Sequence, residues 1–123
     1  MATINPVVTR NGDFSIHKYK FLTVGNGDTT APISFAEWAD RSVQIIGTFG
    51  VGGNVKVEGS NDDGTTWEPL TDYQGNVLNS ITAADIVGVQ EITEKMRISV
   101  TAGDGNTDLD VYVLLRRQTP NRA

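Results

Sequence analysis

The chain has 123 residues, 38% of them hydrophobic and 20% charged, with a net charge of −5. That length fits one domain with one core. Without a basic stripe, the acidic balance argues against nucleic acid as a partner. No cysteine is present, which excludes disulfides, zinc–cysteine sites and thiol chemistry.

Residues 1–12 have no clear period and contain Pro6 and Asn11-Gly12, the pattern of an arm leading into a fold. They lack the apolar run of a secretory leader, and no stretch approaches the roughly 20 apolar residues of a membrane helix, so a cytoplasmic product with no membrane partner is expected. Residues 14–24 form the first predicted strand. Phe14 and Ile16 share one parity, Tyr19 and Phe21 the other, so a bulge is predicted near His17 and Lys18. Gly25-Asn26-Gly27-Asp28 is a turn. In residues 31–40, Ser34 and Glu37 have the spacing of a capping box, but Pro32 limits the segment to one helical turn at most.

Residues 42–49 alternate as a strand, with Val43, Ile45, Gly47 and Phe49 on one face. Residues 54–60 repeat the pattern, Val55, Val57 and Gly59 inward and Lys56 and Glu58 outward. Gly50-Val51-Gly52-Gly53 between them predicts a hairpin. Short strands are predicted at 67–70 and 73–78, one helical turn at 82–85, and further strands at 86–92 and 96–102. Gly103-Asp104-Gly105-Asn106 is a turn. The last strand, 109–116, places Leu109, Val111, Val113 and Leu115 inward; Tyr112 and Leu114 opposite are apolar too, so cover on both faces is expected. About eight short strands predict one all-β domain, a jelly-roll-like antiparallel sandwich with an arm at 1–12 and a tail at 117–123.

Nothing in the pattern points to catalysis. His17 is the one histidine, and there is no nucleophile elbow, phosphate loop or histidine-rich metal spacing. Asp62 and Asp63 offer a carboxylate pair of the kind glycoside chemistry needs, but they sit in a turn, where aspartate serves local hydrogen bonding. Asp104, Asn106, Asp108 and Asp110 alternate like the start of a calcium loop. Leu109 and Leu115 stand where that loop needs glycine and glutamate, so no metal or cofactor is expected. Trp38, Trp67, Tyr73 and Tyr112 could build a sugar platform, though packing explains each more simply. Between Ser42 and Glu94 one base, Lys56, faces eight acids, whereas Arg116, Arg117 and Arg122 close the chain.

Residues 60–67, Ser-Asn-Asp-Asp-Gly-Thr-Thr-Trp, match every fixed position of the Asp-box, Ser-x-Asp-x-Gly-x-Thr-Trp. Ser60, Asp62, Gly64, Thr66 and Trp67 are its members here. The motif resembles a hairpin element of sialidases and of many other β proteins. A propeller needs several copies and a longer chain, so the single copy implies a hairpin and not sialidase activity.

The stretch VKVEGSNDDGTTWEPLTDYQGNVL, with the closing strand LDVYVLLRR, resembles small virion proteins of tailed bacteriophages, above all capsid decoration (cement) proteins of jelly-roll type. The same hairpin also resembles discoidin-type carbohydrate-binding modules, which usually run longer and carry bracketing cysteines. The phage resemblance implies a non-enzymatic protein on the outer surface of the head. It would bind the major capsid protein as a dimer or trimer and staple neighbouring subunits. Position and charge single out Ile4, Pro6, Val7, Arg10, Arg116 and Arg117 as candidate contacts. A tail or baseplate component and a small carbohydrate-binding module are the alternative readings.

Overall fold

The computed structural model describes residues 2–12, 15–34 and 36–117. Ten strands run through them: β1 (Thr3–Ile4), β2 (Val7–Arg10), β3 (Ile16–Val24), β4 (Thr29–Thr30), β5 (Asp40–Thr48), β6 (Asn54–Ser60), β7 (Glu68–Pro69), β8 (Asp85–Val89), β9 (Lys95–Ala102) and β10 (Asp108–Arg116). They form two five-stranded sheets, ordered β1-β4-β9-β6-β7 and β2-β3-β10-β5-β8. From β3 onward the chain crosses from sheet to sheet at almost every connection. The eight strands β3 to β10 thereby take the orders β4-β9-β6-β7 and β3-β10-β5-β8, which is the double-sheet pattern of a jelly roll. The all-β sandwich expected from the alternation is therefore what forms.

Alternation also fixes the core. Leu109, Val111, Val113 and Leu115 of β10 are fully buried, as are Val43 of β5, Val55 and Val57 of β6, and Met96 and Ile98 of β9. Each such side chain contributes about 1.5–3 kcal/mol on leaving water. β10 lies at the centre of its sheet, paired antiparallel with β3 on one side and β5 on the other.

Several expectations are corrected. The segment read as an arm is built into the protein: β1 pairs with β4, in parallel, and β2 with β3, so each sheet gains an edge strand. The expected hairpin of 42–49 with 54–60 does not form, because β5 and β6 lie in different sheets. The glycine-rich loop between them arches across the sandwich instead. It is tied to the 103–107 connection, where the Asp104 carboxylate accepts the Val51 N–H (3.0 Å) and the Thr107 hydroxyl donates to the Phe49 carbonyl (2.8 Å). The bulge in β3 falls at Leu22 and Thr23, where the register with β10 shifts and Thr23 takes a φ of 59°, and not at His17 and Lys18. His17, Tyr19 and Phe21 consequently share the inward parity. No helical turn forms among the described residues of 31–40 or at 82–85. Phe14, placed in the first predicted strand, and the tail beyond Arg117, with Arg122, lie outside the described residues.

Candidate docking face

The Asp-box folds as the hairpin between β6 and β7, which pair antiparallel through Glu58 with Pro69 and Gly59 with Glu68. Its bonds are local. The Ser60 hydroxyl donates to Asp62 Oδ1 (2.6 Å) and accepts the Gly64 N–H (3.0 Å), while Asp62 Oδ1 also accepts the Thr66 N–H (2.9 Å). The Ser60 hydroxyl, followed by the donors of Thr66, holds the Asp62 carboxyl down at about 2. Gly64 takes a φ of 83°, where glycine is favoured. The Trp67 indole N–H closes the turn on the Gly64 carbonyl (2.9 Å). Arg97 lies 4.2 Å over the Trp67 ring and pairs with Glu58 (3.0 Å), and Lys95 pairs with Asp63 (2.9 Å). Asp62, Asp63, Glu58, Lys95 and Arg97 around this hairpin thus all bond within the molecule.

The other chemical candidates are likewise absorbed. His17 is buried, its ring 3.9 Å from that of Trp38. Burial, aided by Arg10 and Arg117, holds its imidazole below the usual value. Asp104 accepts the N–H groups of Val51 and Asn106, and Asp110 accepts that of Thr23. Asp104 is therefore committed to its turn and Asp110 to the bulge of β3. Among the described residues no group of three or more His, Cys, Asp or Glu is placed to hold a metal ion. The four aromatic residues do not form one platform. Trp38 is core and Trp67 is covered by Arg97, leaving only Tyr73 and Tyr112 on the β2-β3-β10-β5-β8 side.

The contact residues chosen from the termini are dispersed. Ile4 packs against the core and Pro6 is half-buried; Val7 and Arg10 are exposed on the edge strand β2. Arg116 is engaged by Asp40 (2.6 Å). The Arg117 guanidinium lies 5.3 Å from the Trp38 ring, and its backbone N–H donates to the Ser15 carbonyl.

What the structure gathers instead is the outer face of the β2-β3-β10-β5-β8 sheet. Cross-strand register puts Val7, Lys20, Tyr112, Gln44 and Ile86 in one row across all five strands. The next row holds Thr9, Lys18, Leu114, Ser42 and Gly88. Tyr73 reaches over from the 72–76 turn to lie against Gly88, where any β-carbon would meet its ring at 2.5 Å. Among the described residues nothing supplies the cover expected over Leu114, which is 43% exposed, and Ile86 is 62% exposed. A shallow hollow of about 390 Å³ lies over Tyr112 and Leu114, walled by Ile86 and the two lysines. A second, of about 360 Å³, adjoins it between Tyr73 and Arg116 and shares Ser42 and Leu114. The double-sided apolarity of the last strand is the sequence signal that marks this face. Lys18 and Lys20 gave no signal of their own.

No protein-family model matches the chain, and no curated protein sequence matches it. Among solved structures the fold is similar to that of the SPBc2 prophage-derived protein YomS, with a TM-score of 0.61 and 14% identity over 81% of this chain and 93% of that one. The sandwich is shared with a prophage protein. At that identity the likeness is one of fold, and it extends over nearly the whole of the other chain.

Proposed function

We propose that this chain is a structural protein of a tailed-phage particle, acting without catalysis as a decoration protein on the outer surface of the head. The observation that carries the reading is the fold held in common with a prophage-derived protein. Two further features support it. Asp62, Asp63, Glu58, Asp104 and Asp110 are spent on holding turns and strands. One sheet face is open and partly apolar, which suits a protein whose task is to bind another surface.

In this reading the major capsid protein is the partner, and each copy need bind only modestly. An oligomer touching several subunits multiplies weak contacts through effective concentration. Because the contacts exist only on the assembled shell, binding stabilises that state by mass action. The test is co-sedimentation of the purified protein with expanded heads and with unexpanded shells of the cognate phage, beside light scattering for its free mass. Binding to expanded heads by a dimer or trimer is expected. Absence from both shells, with labelling of the tail or baseplate in electron micrographs, would replace this reading by a tail role.

A further inference from the structure

We infer that the outer face of the β2-β3-β10-β5-β8 sheet, centred on Lys18, Lys20, Tyr112 and Leu114, is the surface that docks, and that its occupant is a polypeptide segment presenting carboxylates beside apolar side chains. The inference deepens the proposed head-binding role by naming the surface and the chemistry of its partner.

Charge is the first argument. On a chain of net charge −5, two cations of the opposite sheet are paired within the molecule, Arg97 with Glu58 and Lys95 with Asp63, and Lys56 stands there by itself on β6. Lys18 and Lys20 are in no ion pair with any described residue. Their ammonium groups lie 5.4 and 6.0 Å from the centre of the Tyr112 ring, so both flank the same hollow. The hollow itself is lined by no carboxylate; of the acids farther along the face, Asp40 pairs with Arg116, Asp110 accepts the Thr23 N–H, and Asp108 lies at the start of β10. A partner entering the hollow therefore meets two ammonium groups and no carboxylate beside an apolar floor, which favours carboxylates at the lysines.

Apolar shape is the second argument. The walls around Tyr112 are aliphatic: Leu114, Ile86 and, along the face, Ile46 and Val7, all at least 36% exposed. Flat sugars stack on rings, whereas aliphatic walls beside a single tyrosine suit apolar protein side chains. Size agrees as well. Strands of four, nine, nine, nine and five residues, at about 3.3 Å per residue and about 4.8 Å spacing, give a face of roughly 570 Å², the size of a weak contact and in keeping with modest binding by each copy.

The decisive variant is K18E/K20E, with L114D as a second that leaves the lysines in place; both lie on the outer face, and circular dichroism checks that each folds. If the wild-type protein sediments with heads, K18E/K20E is expected to bind roughly tenfold or more weakly, with the wild-type affinity itself falling as salt rises. Equal binding by wild type and both variants would overturn the docking face while leaving head binding intact. If the wild type does not sediment with heads, the head-binding reading fails and the face is tested alone. An octapeptide alternating glutamate and leucine is titrated into ¹⁵N-labelled protein. Shifts confined to residues 18–20, 42–44, 86 and 112–114, lost in K18E/K20E, uphold the face. No shifts, shifts elsewhere, or equal shifts from a sulfated oligosaccharide overturn it.

Discussion

Gly47 sits near the end of β5, opposite Leu109 of β10, with a φ of +118° that L side chains rarely adopt. A β-carbon there would come 2.5 Å from the Asp108 carbonyl oxygen and 3.2 Å from Leu109 Cα, both backbone atoms that cannot rotate away. Gly47→Ala must therefore strain φ, at about 1–3 kcal/mol, and push β10 back by roughly 0.5 Å or more, weakening one or two ladder hydrogen bonds at about 1 kcal/mol each. The loss works out at about 2–5 kcal/mol. With a urea slope of about 1.5 kcal/mol/M, the midpoint falls by roughly 1.3–3.3 M, read by tryptophan fluorescence. The control is Gly105→Ala, where a β-carbon meets nothing within 4 Å and φ is ordinary; it should shift stability by no more than about 0.5 kcal/mol. Equal midpoints for the two variants would refute the reasoning, because they differ in backbone φ and in space and in little else.

Leu114 and Leu115 are neighbours with opposite surroundings, 43% exposed and fully buried. Leu115→Ala should cost about 2–5 kcal/mol in urea unfolding through the cavity it leaves. Leu114→Ala should cost under about 1 kcal/mol while weakening capture by heads in the co-sedimentation assay. Asp62→Asn tests the Asp-box. The carboxyl is held at about 2 against an ordinary 3.8, chiefly by the Ser60 hydroxyl, so its contribution is present above pH 3.8 and is lost as pH falls through about 2. Urea midpoints measured from pH 5 down to pH 2 should fall less steeply for the variant than for the wild type. Part of the acid sensitivity remains in both, because Asp72 and Asp104 are lowered as well, by the N–H groups of Asn76 and Val51 first.

The sequence by itself determined the fold class, the inward faces of β5, β6 and β10 and the Asp-box hairpin. These follow from contacts close in the chain: alternation at period 2 in β5, β6 and β10, and side chains that bond their own turn within four residues. Tertiary structure alone decided which strands are partners. The Gly50–Gly53 loop has the composition of a hairpin, but it arches between sheets because Asp104 and Thr107, more than fifty residues away, hold it there. The 1–12 segment looked free because two short strands carry little pattern; their edge pairings with β3 and β4 place them in the body. The docking face was illegible for the same reason. Lys18, Gln44, Ile86 and Tyr112 come from four separate strands, and only cross-strand register makes them neighbours.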